Sequence, residues 1–177
     1  MKRLPIFISL EEKKVLVVGG GRAARIKIKA LLEVQANIMV VAKSFLEETE
    51  ALLKEQKIEY KNREVTIEDL ENIFLLFAAA DKKTNETVFL WAKQKNILCC
   101  KADGKGDFIV PAYKKEGSLT LAVSTDGLFP LLGKKICENV DLSESKRLEY
   151  LAEQRKRILQ NLPKQEQKKA LKALLEE

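Results

Sequence analysis

The chain has 177 residues, 46% of them hydrophobic, and 32 Lys and Arg against 26 Asp and Glu give a formal charge of +6. That length suits one domain of ordinary size plus an appendage, and no apolar run approaches the ~18 residues that span a bilayer. There is no histidine, which excludes Ser-His-Asp, Cys-His and His-ligated metal chemistry and leaves proton handling to Asp, Glu, Lys, Tyr, Cys or water.

The start, Met1-Lys2-Arg3-Leu4-Pro5, lacks the apolar core and cleavage site of a secretory signal. Residues 14–18 read as a first strand. It ends in Gly19-Gly20-Gly21-Arg22-Ala23-Ala24, a G-x-G-x-x-A turn that opens a helix over 22–34. In such a turn Gly19 permits the bend, Gly21 lets backbone approach a pyrophosphate, and Ala24 allows the helix to pack closely on the strand. The free N–H groups and positive end of the helix then face the phosphates. The strand before the glycines and the helix after them are the context this motif requires.

The first helix carries Ile26, Ala30, Leu31 and Val34 as its apolar positions. A second strand is expected at 37–41 and a second helix at 45–56, with Leu46, Leu52 and Leu53 inward. A short strand follows at 58–61, a helical turn at 66–71, a strong strand at 74–79, and a helix at 85–95 with Val88, Phe89 and Ala92 on one face. Residues 97–102 form a fifth strand. Continuous apolar strands alternating with amphipathic helices indicate an α/β fold, a Rossmann-type parallel sheet in the order 3-2-1-4-5.

Cys99 and Cys100 lie on that fifth strand and would face opposite sides of it. With Cys137 they make an odd number without metal-ligand spacing, so the expectation is a reduced, cytoplasmic protein with no metal site. Beyond residue 107 the pattern changes. Short extended pieces are expected at 108–111 and 118–123, a helix at 131–140, a longer helix at 144–161, and a last one at 164–177 after Pro163. The apolar stripe of the final helices must pack on something, either this chain's own core or a second subunit.

Ligands of an open α/β sheet bind at the carboxyl ends of its strands. After the second strand stand Lys43 and Ser44, where an acidic residue would ordinarily meet the ribose of NAD. Lys43 could instead take a 2′-phosphate, or the two could line the ribose, so the residues alone leave NAD and NADP both open. After the fourth strand come Ala79, Ala80 and Asp81, with Asn85 a turn later. After the fifth, Asp103 is a candidate for proton chemistry and equally a turn-forming Asp before Gly104. Ser124-Thr125-Asp126-Gly127 reads as a helix-entry turn that could also face a ligand. The positive charge favours anionic partners. It is interleaved with acids, without a basic patch or base-stacking aromatics, so neither nucleic acid nor membrane is an expected partner.

Taken in order, these segments resemble the precorrin-2 dehydrogenase and sirohydrochlorin ferrochelatase family, the N-terminal part of siroheme synthases. The similarity runs through Leu4-Pro5-Ile6-Phe7, the glycine turn with Ala24, Ala78-Ala79-Ala80-Asp81 with Asn85, Asp103, Phe108-Ile109-Val110-Pro111-Ala112 and Leu119-Thr120-Leu121-Ala122-Val123-Ser124-Thr125, covering about residues 1–140. It implies an NAD-dependent oxidation of the anionic tetrapyrrole precorrin-2 to sirohydrochlorin, with iron insertion by the bifunctional members. It also implies cofactor contacts at Gly19, Gly21, Arg22, Ala23, Lys43, Ser44, Ala79, Asp81 and Asn85. Asp103 would be the catalytic residue, and Ser124 and Thr125 would bind substrate. The organisation implied is an NAD-binding domain over 1–111, a homodimerisation segment over 112–147 and a helical region over 148–177. The chain departs from the family pattern at Cys99-Cys100-Lys101-Ala102, where Asn-Val is usual. It departs again at Asp126 and Phe129, which stand for a glycine and a serine. The second departure leaves open the chelatase activity and the exact tetrapyrrole, and a non-catalytic dinucleotide-sensing module is the remaining alternative.

Overall fold

The computed structural model describes residues 3–176 and divides into two compact units between Val110 and Pro111. In the first unit five parallel strands lie in the order β3-β2-β1-β4-β5. They are β1 (Lys14–Val18), β2 (Asn37–Ala42), β3 (Glu59–Asn62), β4 (Leu75–Ala78) and β5 (Leu98–Lys101). Three helices alternate with them: α1 (Arg22–Leu32), α2 (Glu47–Glu55) and α3 (Lys82–Gln94). The strand order is the one the alternating pattern predicts.

The central strand shows why. Val15, Leu16 and Val17 are wholly buried and Val18 nearly so, because both faces of β1 are covered. Val15 and Val17 point to the side of α1 and α2, against Ala24, Ile28, Leu31 and Leu53. Leu16 and Val18 point to the side of α3, against Val88, Ala92, Leu70 and Ile73. Each such side chain contributes about 1.5–3 kcal/mol by leaving water. Cys99 and Cys100 obey the same alternation, one in each half of the core. Both are free thiols. Burial pushes the Cys99 thiol up to about 12, so it is chemically quiet.

Several element boundaries differ from the sequence expectation. α1 buries Ala24, Ile28 and Leu31, whereas Ile26 and Val34 are exposed and the helix stops at Leu32. α2 begins at Glu47, with Leu46 exposed just ahead of it, since Glu47, Glu48 and Glu50 suit the positive end of a helix. α3 starts at Lys82, earlier than expected, because Asp81 caps it. Gln35, Lys57 and Asn96 take the left-handed conformation shortly after α1, α2 and α3. Glycine is the usual residue at such stops, and its absence here leaves the helix ends unmarked in the sequence.

The second unit opens with an antiparallel hairpin, β6 (Ala112–Glu116) and β7 (Leu119–Val123), turning through Gly117 at φ +55°. The expected extended piece at 108–111 is not a strand, and β6 was missed because Tyr113-Lys114-Lys115-Glu116 carries little apolar signal. Then follow α4 (Pro130–Asn139), a 3-10 turn (Ser143–Arg147), α5 (Leu148–Asn161) and α6 (Lys164–Ala173). The expected helix over 144–161 is therefore that 3-10 turn and α5 in series, and the last helix is shorter than expected. α4 lies against the hairpin at Gly133, where a Cβ would come within 3.2 Å of the Val123 carbonyl oxygen. Neither α5 nor α6 has a fully buried residue among those described.

Candidate functional site

A cleft of about 730 Å³ opens in the first unit at the carboxyl ends of β1, β2 and β4. Its floor is the glycine turn. Gly19 sits at φ +129°, and a Cβ on it would meet the Ala79 carbonyl oxygen at 2.2 Å. A Cβ on Gly20 would meet the Ser44 carbonyl oxygen at 2.1 Å. These two glycines are pinned between the strand ends. Gly21 is different: a Cβ there meets nothing within 4 Å.

Gly21 also begins α1 without any side-chain cap, and no acidic residue occupies the first turn. The leading N–H groups of α1 thus face the cleft beside Arg22 and Ala23. Open space, unspent donors and the helix dipole together suit a diphosphate. The residues present fit a dinucleotide.

Around this floor the structure assembles most of the expected residues. Gly19, Gly21, Arg22, Ala23, Lys43, Ser44, Ala79 and Asp81 all line the cleft. Asp81 is partly spent: its Oδ1 accepts from the Thr84 backbone N–H at 3.0 Å and its Oδ2 from the Thr84 hydroxyl at 2.6 Å. Those bonds hold its carboxyl below the usual carboxylate range. Asn85, expected among the cofactor contacts, does not line the cleft directly. It is wholly buried, its Oδ1 accepting from the Ala80 N–H at 2.9 Å and its Nδ2 donating to the Ala80 carbonyl at 3.1 Å. It shapes the cleft by holding the backbone at Ala80.

Asp103 lies away from these residues, exposed on the turn after β5. The loop carrying it is tied back to the strand. Asp107 donates its N–H to the Cys99 carbonyl at 2.8 Å and accepts the Cys99 N–H on Oδ2 at 3.0 Å, while Gly106 packs against that same backbone. Ser124 and Thr125 belong to the second unit. Ser124 Oγ accepts from the Asp126 N–H at 3.1 Å and Thr125 Oγ1 from the Phe129 N–H at 3.2 Å, so both brace the turn into α4.

The structure adds residues that the sequence reading did not assign. Thr84, Thr87 and Trp91 line the cleft from α3. Their i, i+3, i+7 spacing was the available signal, overshadowed by the apolar face of Val88 and Ala92. Glu64 and Val65 arrive from the loop after β3, and Glu64 Oε1 lies 2.6 Å from Lys43 Nζ. The Glu64 carboxylate raises the Lys43 ammonium above its ordinary value. Nothing in the spacing of a short, polar strand announces that loop.

Asp69 fixes it. Its side chain is 1% exposed and accepts from Arg63 through two guanidinium nitrogens at 2.7 and 2.6 Å, from Lys61 at 3.0 Å and from the Thr66 N–H at 2.9 Å. Burial alone would raise the Asp69 carboxyl, but Arg63, Thr66 and Lys61 outweigh it and hold it well below the usual range. A group whose folded pKa is depressed stabilises fully above its unfolded value of about 4 and loses that contribution as pH falls below it. Asp69→Asn is therefore expected to cost about 2 kcal/mol at pH 7. Urea unfolding should show that difference shrinking on acidification; a constant difference from pH 7 to 3 would contradict it.

Among the described residues no cluster of His, Cys, Asp or Glu is disposed to hold a metal, and no helix is long and apolar enough to cross a membrane.

Comparison with known proteins places this geometry. A family model described as "Putative NAD(P)-binding" matches residues 6–112. The precorrin-2 dehydrogenase of Bacillus subtilis is 34% identical over 140 residues, which are 78% of this chain and 86% of that protein. The siroheme synthase of Buchnera aphidicola is 34% identical over 144 residues, 80% of this chain, and that of Zymomonas mobilis 32% identical over 170 residues, 92% of this chain. The chain spans only 30% and 36% of those two synthases. The solved structure of SirC, a precorrin-2 dehydrogenase, superimposes with a TM-score of 0.75 at 31% identity, covering 97% of this chain and 89% of that one.

Proposed function

The chain belongs to the precorrin-2 dehydrogenase and siroheme synthase family, and from that premise we propose that it oxidises precorrin-2 to sirohydrochlorin with NAD as hydride acceptor. The observation that carries the cofactor half is the capless start of α1, where Gly21 leaves open space beside Arg22 and Ala23. The substrate half rests on the relatives, which align over more than three quarters of this chain at about a third identity.

The oxidation removes two hydrogens from the tetrapyrrole. One would leave as hydride, which a nicotinamide dinucleotide in the cleft would accept, and the other as a proton. This chain's residues do the rest. Gly19 and Gly20 bring strand ends together, the α1 N-terminus and Arg22 would hold the diphosphate, and Asn85 sets the backbone at Ala80. We assign the proton to Asp103, a carboxylate on an exposed turn in a chain with no histidine. Ser124 and Thr125 would present their turn to the macrocycle, whose carboxylates suit a basic protein. Iron insertion is proposed to be weak, because Asp126 and Phe129 replace small residues in that turn.

A homodimer completes the reading. Leu128, Phe129, Leu131 and Leu132 are exposed in the second unit, and a two-stranded sheet is marginal without further partners. The free cysteines accord with a reducing cytoplasm. Ligand-linked stability tests the cofactor assignment: NAD⁺ at a hundred times its Kd should add about 2.7 kcal/mol to unfolding. Light scattering should give twice the chain mass. No stabilisation by either dinucleotide would refute the cofactor assignment, and a monomer at micromolar concentration would refute the dimer.

A further inference from the structure

In dinucleotide-binding sheets the residue ending β2 sets the cofactor: an acid meets the ribose hydroxyls of NAD, whereas a nearby base receives the 2′-phosphate of NADP. Here β2 ends at Ala42 and is followed by Lys43 and Ser44, which taken alone favours the phosphate. The carboxylate comes from one strand further out. β2 and β3 run parallel with Ala42 opposite Asn62, and two residues later the chain brings Glu64 beside Lys43 at 2.6 Å. Both residues line the cleft.

Glu64 is not on a loose loop. Asp69 grips Arg63 on one side of it and the Thr66 N–H on the other. Val65 and Trp91 line the same cleft and offer apolar surface of the kind a base requires. A ribose carrying a 2′-phosphate at this end would meet the Glu64 carboxylate and a Lys43 ammonium already engaged with it.

We propose that Glu64 is the residue that selects NAD over NADP, its carboxylate accepting from the adenosine ribose hydroxyls and repelling a 2′-phosphate, with Lys43 held neutralised beside it. This rests on the dinucleotide reading of the cleft. It relocates the cofactor-selecting acid from β2 to the loop after β3. An ordinary surface ion pair would instead leave cofactor discrimination indifferent to Glu64.

Trp91 is the only tryptophan of the chain and lines the cleft, so its fluorescence reports binding without any turnover. Dissociation constants for NAD⁺ and NADP⁺ are to be measured on the wild-type protein, Glu64→Gln and Glu64→Gln/Lys43→Met. The wild type should prefer NAD⁺. Glu64→Gln should lower the ratio of the NADP⁺ to the NAD⁺ constant by at least about tenfold, chiefly by tighter NADP⁺ binding to the released Lys43. The double variant should lose most of that gain. Retained NAD⁺ affinity with an unchanged ratio in Glu64→Gln would overturn this assignment alone, as would a wild type that prefers NADP⁺. A wild type that binds neither dinucleotide would overturn the reading of the cleft, and this assignment with it.

Discussion

Gly21→Asp is expected to abolish dinucleotide binding while leaving the protein folded and at least as stable. The two halves of that result have separate causes. A Cβ at Gly21 meets nothing within 4 Å, and the backbone there, at φ −91° and ψ −170°, is ordinary for any residue. Aspartate is also among the best residues for starting a helix, better than glycine by a few tenths of a kcal/mol. The same carboxylate would stand where the diphosphate belongs, spending the N–H groups and repelling the ligand. Like charges forced together at a binding site cost several kcal/mol, so affinity should fall by more than about 10²-fold. Titration of Trp91 fluorescence with NAD⁺, beside urea unfolding of the same sample, measures both. A stable variant with unchanged affinity would show that the diphosphate lies elsewhere. Gly20→Ala makes the contrast, since its Cβ would strike the Ser44 carbonyl oxygen at 2.1 Å and must displace the backbone.

Asp103→Ala should separate chemistry from scaffold. The residue is exposed, and its loop is anchored by Asp107 and Gly106 against β5, so removing the carboxylate leaves the anchor untouched. Folding and NAD⁺ affinity should change little, as for most surface substitutions. Turnover of precorrin-2 should fall about 10²–10⁴-fold if the carboxylate takes the proton in the transition state. A loss confined to KM would instead make Asp103 a group that holds the macrocycle. Wild-type kinetics in Asp103→Ala would remove it from the mechanism and leave the cofactor site standing.

The sheet was legible because its strands are buried on both faces. A run such as Val15-Leu16-Val17-Val18 has few alternatives once helices flank it, and the glycine turn follows from the backbone closeness at Gly19 and Gly20. Less could be read where side chains answer to partners distant in sequence. The sequence pattern puts Ile26 on the inward face of α1 and passes over Ile28, whereas the packing of α1 on β1 buries Ile28 and leaves Ile26 exposed. The polar β6 gave no periodic signal. Asn85 is wholly buried and bonds to the backbone of Ala80, an arrangement that no spacing discloses. Glu64 was invisible for a related reason. Its place beside Lys43 depends on the register of β3 and on the Asp69 clamp, both set by contacts across the fold.

The central claim is the reaction, and anaerobic turnover tests it most directly. The purified wild-type protein, free of added metal, is to be mixed with a known amount of precorrin-2 and excess NAD⁺, following NADH and the tetrapyrrole spectrum together. The account predicts one NADH for each sirohydrochlorin formed, no product without dinucleotide, and none with Gly21→Asp. Precorrin-2 that persists unchanged beside a protein demonstrably binding NAD⁺ would contradict it.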